Sequence, residues 1–157
     1  MPVTSAGLLL WRPPATTGSE PEVFIAHMGG PFWARKDAAA WSIPKGEYEP
    51  GEDPFTVARR EFEEEIGVPA PAADYAQLGV FRQPSGKVVT VFAARSDLAV
   101  EKVTSNTFDL EWPRGSGTIK QFPEIDDARW VSIPQAREKL VKGQVAVLGA
   151  LAELLGR

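Results

Sequence analysis

The segment Gly46–Val68 reads GEYEPGEDPFTVARREFEEEIGV, and its second half predicts an acidic helix. Because a helix has about 3.6 residues per turn, Glu61, Glu64 and Glu65 project from adjacent positions on one side. The like charges of Glu61 and Glu65 cost roughly 0.2–0.5 kcal/mol on an isolated helix, which favours a cation beside them. Clustered carboxylates suit Mg²⁺ or Mn²⁺, which prefer oxygen ligands. An acidic run is also typical of a solvated helix face, so further features are needed to choose between the two interpretations.

The same segment carries signals that begin and end a helix. Asp53 is suited to cap the N-terminus, and Pro54 fits the first turn, where a missing N–H is harmless. Gly67 fits the left-handed position that ends many helices, and Pro69 prevents continuation. Between these limits runs an apolar stripe that we expect to be buried, formed by Phe55, Ala58, Phe62 and Ile66. The sequence therefore predicts a loop, a helix and a second loop.

The spacing of fixed positions in this segment resembles the Nudix box, the signature of the Nudix hydrolases. The identities that agree are Gly46, Glu52, Arg60, Glu61, Glu64, Glu65 and Gly67, with apolar residues at Phe62 and Val68. Agreement at all of these positions makes the signal highly specific, and a solvated helix face does not account for it. The resemblance extends upstream to Trp41, where a Trp and a Pro-Lys-Gly run precede the box.

The resemblance implies an α/β fold, namely the α/β/α sandwich of the Nudix fold with a mixed β-sheet. It also implies a site for Mg²⁺, with Mn²⁺ as a possible substitute. The implied ligands are Glu61, Glu64 and Glu65, with the carbonyl of Gly46 often added. Glu52 and Arg60 would form a supporting ion pair that orients the carboxylates, although an ordinary surface pair of little energetic value is the alternative.

Basic and aromatic residues upstream of the box predict contacts with a nucleotide substrate. Lys45 directly precedes the box and is suited to contact a phosphate. The loop Gly29–Ala40 contains Trp33, Arg35 and Lys36, and aromatic rings beside cations suit a base and its phosphates. The aromatic side chain could instead plug the edge of the core, and the two interpretations are equally well supported.

The composition excludes several classes of site and partner. The 157 residues suit one domain spanning residues 1–157. The absence of cysteine and the single histidine, His27, exclude disulfides, thiol nucleophiles and sites built from several Cys or His ligands. We expect His27 to be a structural or rim residue. A net charge of −4 without a dense basic run argues against nucleic acid. Without a membrane-length apolar run or a signal peptide, we expect a cytoplasmic protein.

The remaining chain predicts strands and helices around the box. The predicted strands are Val3–Trp11, Glu22–Met28, Gln77–Gln83, Lys87–Arg95 and Ala128–Ser132. The predicted helices after the box are Ile133–Val141 and Gln144–Leu155. Within the long connection Asp97–Gly117, alternation over Asn106–Trp112 predicts a hairpin with Thr118–Phe122 at the rim of the site.

The resemblance implies hydrolysis of a nucleoside diphosphate linked to another group. The expected substrate is a small nucleotide, either a dinucleoside polyphosphate or a nucleoside triphosphate; ADP-ribose and nucleotide sugars are alternatives, and Pro84 lies where ADP-ribose-cleaving members carry a proline. A non-catalytic nucleotide sensor on the same fold is a hypothesis of another class. Nudix enzymes differ in which carboxylate activates water. Glu124, before a Trp-containing strand, is the candidate base or ligand outside the box, and Glu61 or Glu64 is the candidate within it.

Overall fold

A long apolar strand, β1 (Thr4–Arg12), lies at the centre of the main sheet in the computed structural model, which describes residues 3–14, 16, 18 and 20–156. The other strands are β2 (Glu22–Met28), β3 (Trp41–Ser42), β4 (Lys45–Glu47), β5 (Ala76–Arg82), β6 (Val88–Arg95), β7 (Thr107–Glu111), β8 (Ile119–Pro123) and β9 (Ile125–Ser132). The helices are α1 (Pro54–Ile66), α2 (Ile133–Lys139) and α3 (Val145–Leu155), with a 3-10 turn at Lys142–Gln144 before α3.

The main sheet is mixed, as the sequence predicted. Its strands run in the order β3-β2-β1-β6-β5, while β4 pairs with β1 and β9 pairs with β2. β1 and β6 are parallel, and the other pairs are antiparallel. Along one edge of β1, β4 occupies the N-terminal half and β2 the C-terminal end. This arrangement places the start of the box directly beside the start of the central strand.

Helices cover both faces of this sheet because successive residues of β1 point in opposite directions. Leu8 and Leu10 are fully buried in a cluster with Phe62 of α1. Leu9, between them, is fully buried in a second cluster with Leu148 of α3. The two cores confirm the predicted α/β/α sandwich. None of the helices in the described ranges is long and apolar enough to cross a membrane.

The limits of α1 agree with the signals in the sequence. The Asp53 carboxylate accepts the N–H of Thr56 at 3.0 Å and caps the N-terminus. Gly67 ends the helix with φ of 94°, in the left-handed region. The buried stripe differs from the prediction at one position: Val57 is buried, whereas Phe55 is half-buried at the edge of the core. The remaining predicted members of the stripe are buried.

Several predicted boundaries differ from the structure by one residue, and two differ by more because remote contacts decide them. The last strand begins at Ile125 rather than Ala128, since its pairing with β2 continues as far as Met28. The helix predicted to reach Val141 ends at Lys139, and the N–H of Val141 bonds instead to the carbonyl of Trp41 at 2.9 Å. The hairpin within and beyond the long connection is confirmed as β7 and β8.

Candidate active site

A cavity of about 420 Å³ lies where α1 meets β4 and the N-terminal end of β1. Its lining consists of Ser5, Lys45, Gly46, Glu47, Glu61, Glu65, Lys87 and Glu124. We call it the acidic cavity, because four carboxylates and two ammonium groups line it. Carboxylates from the box and from the loop before β9 therefore reach one place, although they are far apart along the chain.

The close approach of α1 to β4 depends on Gly46. The Cα of Gly46 lies against the side chain of Glu61, and a Cβ at this position would overlap the Glu61 carboxyl group. Only a glycine allows the main chain to come this close to the carboxylate. The glycine at the start of the box therefore has a steric reason in this chain.

The cavity disfavours negative charge on two of its carboxylates, those of Glu65 and Glu61. Glu65 is largely enclosed, and burial raises the pKa of its carboxyl group to about 8, although its Oε1 accepts the N–H of Lys45 at 3.2 Å. The pKa of Glu61 is also raised, first by burial and then by repulsion from Glu64. A cation in the cavity would reverse both effects because it favours the charged forms.

The residues of the acidic cavity fit a divalent cation chemically. Carboxylate oxygens and the carbonyl of Gly46 are the hard donors that Mg²⁺ and Mn²⁺ prefer. Burial raises the pKa values of Glu61 and Glu65, so a cation bound beside them would favour their charged forms. Among the described residues, no three His, Cys, Asp or Glu side chains already converge as a ready ligand group. We therefore expect carboxylate side chains to rotate when a cation binds.

Arg60 lies beside the carboxylates, on the outer side of α1. Its guanidinium is 3.5 Å from the Glu52 carboxylate, 3.8 Å from that of Glu61 and 4.0 Å from that of Glu64. The implied pairing of Glu52 with Arg60 is therefore present. Arg60 and Glu64 are 48% and 40% exposed, so these pairs add little stability. That Arg60 and Glu52 orient the carboxylates stays a prediction, and Glu64 itself lies outside the cavity lining.

Glu124 is held in the cavity by its backbone. It lies on a bend between β8 and β9; its N–H donates to the carbonyl of Asn106 at 2.9 Å, and its carbonyl accepts the N–H of Gly29 at 2.8 Å. Gly29 has no room for a Cβ because the carbonyl of Pro123 lies against its Cα. The side chain of Glu124 can therefore be changed without removing the bonds that position it.

The loop residues predicted to bind substrate do not line the acidic cavity. The ammonium group of Lys36 lies 3.5 Å from the ring centroid of Phe32, and Trp33 packs against the core on the α2 and α3 side. Arg35 is exposed. Contact of these three side chains with a substrate stays a prediction.

A buried glutamine that the sequence analysis did not single out supports the start of the box. Gln144 is fully buried; its side-chain carbonyl accepts the N–H of Ile43, and its amide donates to the hydroxyl of Ser42, both at 2.9 Å. This links the turn before α3 to the segment that leads into Lys45. The sequence analysis also missed Ser5, because strand pairing across long separations leaves no local signal.

A second cavity, of about 410 Å³, lies against β2 and β9. We call it the paired cavity, and it is lined by His27, Ala34, Asp37, Trp41, Asp126, Asp127 and Arg129. The ring of His27 contacts the carboxylate of Asp126 through Nδ1 and the carbonyl of Lys36 through Nε2, both at 2.7 Å. These contacts agree with a structural role for His27.

Comparison with known proteins gives the family. Residues 15–150 match the NUDIX domain. Nudix hydrolase 7 of Arabidopsis thaliana is 31% identical over 114 residues, which cover 73% of this chain and 35% of that protein. This chain thus matches about a third of the length of its plant relative.

Solved structures agree on the fold. The NUDIX domain of Shewanella oneidensis NrtR, complexed with ADP ribose, superposes with a TM-score of 0.67 at 14% identity, covering 99% of this chain and 89% of that one. The binary complex of a C. elegans Ap4A hydrolase superposes with a TM-score of 0.62 at 19% identity, covering 97% of this chain and 98% of that one. At such identities the likeness concerns the fold alone, but the domain match extends over most of the chain, and this protein therefore belongs to the Nudix family.

Proposed function

We propose that this protein is a hydrolase that cleaves a pyrophosphate linkage in a nucleoside diphosphate-linked substrate and depends on a divalent cation. The observation that carries the proposal is the acidic cavity, where Glu61, Glu65 and Glu124 lie together with Lys45. A phosphate chain would be repelled by these carboxylates alone, so a bound cation is needed for substrate to enter. The cavity thus combines groups for a cation, for phosphate and for a proton.

The cation would be held by oxygen atoms of the box. Glu61, Glu64 and Glu65, with the carbonyl of Gly46, are the proposed ligands for Mg²⁺, and Mn²⁺ can substitute. When bound, such an ion neutralises charge that develops on phosphoryl oxygens and makes a nearby water more acidic. Membership of the Nudix family supports this dependence, since its enzymes generally use divalent cations.

The protein's own groups would position the substrate and accept a proton. Lys45 binds a phosphate as a point charge. Glu124 accepts a proton from the water that attacks phosphorus in line with the leaving group. Arg60, held by Glu52, keeps the carboxylates of α1 in place. In this account each charged group has one role, so substitutions can test the roles separately.

A dinucleoside polyphosphate or a nucleoside triphosphate is the proposed substrate. The likeness of fold to a C. elegans Ap4A hydrolase supports the first of these. ADP-ribose or a nucleotide sugar is the second candidate, supported by the likeness to the Shewanella oneidensis NUDIX domain that was solved with ADP ribose. All of these contain the pyrophosphate linkage that the acidic cavity would receive.

A substrate panel tests the proposal. The purified protein is incubated with each candidate in Mg²⁺, in Mn²⁺ and in chelator, and the products are separated by chromatography. We expect cleavage of at least one candidate, none in chelator, and a loss of activity of about 100-fold or more in Glu61→Gln. Asp127→Asn, in the paired cavity, is the control and should retain activity. Nucleotide binding without cleavage would instead identify a sensor and refute the hydrolase.

A further inference from the structure

Lys87 shares the acidic cavity with Lys45, although their strands lie on opposite edges of β1. On one edge Lys45 pairs with Gly7, and on the other Val88, which follows Lys87, pairs with Thr4. Neither ammonium group forms a salt bridge with any residue that the structure describes. Both cations are therefore available to an anion in the cavity.

The strand register places both lysines on the same face of the sheet. Directly paired residues project to the same face, and so do residues two apart along one strand. Lys45 pairs with Gly7, and Ser5 pairs with Val89, two residues after Lys87. All of these positions therefore share the face opposite α1. The carboxylate of Glu61 approaches β4 from the α1 side, so the cavity reaches around this short strand.

Ser5 provides a third polar group between the two lysines. Ser5 lines the cavity although the residue is only 4% exposed. Its hydroxyl makes no hydrogen bond with another residue in the described ranges. No buried polar side-chain atom of the described residues lacks a partner, so this hydroxyl is not an orphaned group, but it can donate a hydrogen bond to a ligand oxygen in the cavity.

The separation of the two lysines favours an extended anion. Lys45, on β4, pairs with Gly7 of β1. Lys87 lies one residue before Val88, which pairs with Thr4 of β1 on the opposite edge. Two strand spacings across the sheet and four residues along it separate their Cα atoms by roughly 15 Å. Side chains on one face of a sheet stand roughly parallel, so a single phosphate group contacts both lysines only if they bend toward each other, whereas a chain of several phosphates can lie between them.

We infer that Lys87 and Ser5 extend the phosphate site of Lys45 into a polyphosphate-binding site that favours long phosphate chains over a diphosphate. The inference rests on the proposed function, because it assumes that phosphates occupy the acidic cavity. The phosphate that reacts lies near the carboxylates on the α1 side, and the rest of the chain lies along Lys45, Ser5 and Lys87. Substrates with three or more linked phosphates gain the additional contacts.

Calorimetric titration in Mg²⁺ tests this site without turnover. The probes are methylene-bridged analogues of pyrophosphate and tripolyphosphate, in which carbon replaces the bridging oxygens. We expect Lys87→Met to weaken binding of the tripolyphosphate analogue about tenfold or more and that of the pyrophosphate analogue less than about threefold. Lys87→Arg, which keeps the charge, should restore most of the difference. Ser5→Ala should weaken the longer analogue about threefold.

Lys102→Met is the matched control, because Lys102 is an exposed lysine outside the cavity lining. This control should change the affinity for neither the pyrophosphate analogue nor the tripolyphosphate analogue. The Lys87 variants should fold normally because the side chain is exposed. The N–H of Gln83 donates at 2.7 Å to the backbone carbonyl of Lys87, which a substitution does not remove. Equal losses for both analogues in Lys87→Met, or no loss, would overturn the inference.

The two proposals can fail independently. If the wild-type protein selects the longer analogue through Lys87 but cleaves nothing in the substrate panel, the hydrolase proposal fails and the polyphosphate site stands. If the protein cleaves candidates while Lys87→Met leaves its affinity for both analogues unchanged, the hydrolase proposal stands and the polyphosphate site fails.

Discussion

The acidic cavity and the paired cavity have almost the same volume, about 420 and 410 Å³, yet their charges are arranged in opposite ways. In the paired cavity each acidic side chain has a partner: Asp126 contacts His27, Asp127 pairs with Arg129 at 2.8 Å, and Asp37 pairs with Lys139. In the acidic cavity, carboxylates face one another and the lysines form no salt bridge within the described residues.

The pKa values follow the same division. Hydrogen bonds from Lys139 and then Trp41 lower the pKa of Asp37 at the rim of the paired cavity. Burial raises the pKa of Glu65 to about 8 in the acidic cavity. Charges that are satisfied within the protein stabilise the fold, whereas charges without partners are available for a ligand. The difference supports the proposal that the acidic cavity is the functional one, and substitutions in the two cavities should behave differently.

The largest effect is expected for Glu124→Gln. If Glu124 is the general base, the substitution should lower kcat by about 10²–10⁴ and leave KM nearly unchanged. The acidic limb of the pH–rate profile should change as well. Steady-state kinetics over a range of pH measure both quantities, with Asp127→Asn as the control in the paired cavity.

Two other results would change the role of Glu124. Activity restored by excess Mg²⁺ would identify a metal ligand and would assign the base to Glu61 or Glu64. Unchanged kinetics would remove Glu124 from the mechanism.

Stability in chelator should depend on pH with opposite signs for the two cavities. A carboxyl whose pKa is raised on folding stabilises the protein below its unfolded pKa, and this contribution is lost as pH rises through the folded pKa. For Glu65 the window runs from 4.5 to about 8. At about 1.36 kcal/mol per pKa unit, the loss is on the order of a few kcal/mol.

Denaturant unfolding in chelator at several pH values measures this slope. Glu65→Gln should flatten the slope of stability against pH between 4.5 and about 8, and added Mg²⁺ should reduce the slope in the wild type. The lowered pKa of Asp37 has the opposite sign: it stabilises the protein above the unfolded pKa of 3.8, and the contribution is lost at more acidic pH. Asp37→Asn should therefore flatten the dependence of stability on pH at the acidic end alone and lower stability at higher pH. Equal slopes in wild type and Glu65→Gln would contradict the assignment to Glu65.

A smaller effect is expected for Lys45→Ala. Losing one charge-assisted contact with phosphate should raise KM or lower kcat about tenfold. Lys36→Ala is the informative partner, because its ammonium group lies over the ring of Phe32 outside the acidic cavity. If Lys36→Ala reduces kcat/KM as much as Lys45→Ala does, the loop Gly29–Ala40 also contacts substrate.

The smallest effect is expected for Asp127→Asn. Its pair with Arg129 is exposed, so its loss should change stability by less than about 1 kcal/mol and activity by less than about twofold. Thermal unfolding and steady-state kinetics test both values. A large loss of activity would mean that the paired cavity takes part in the reaction, which would break the contrast between the two cavities.

The sequence alone determined the features of this protein that depend on near neighbours. The cap at Asp53, the end of the helix at Gly67 and the common side of the box carboxylates follow from contacts within one or two turns of helix. The match to the spacing of the box also indicated a glycine requirement at position 46. Only the structure shows the steric cause, which is the side chain of Glu61.

The tertiary structure alone decided which remote residues join these carboxylates. Lys87 and Ser5 reach the acidic cavity through the register of β6, β1 and β4, and Gln144 supports the box entrance across 101 residues. The loop Gly29–Ala40 has a composition suited to nucleotides, yet none of its residues lines the acidic cavity. Composition and spacing describe what a segment can contact, but strand pairing and packing between distant segments determine what it does contact.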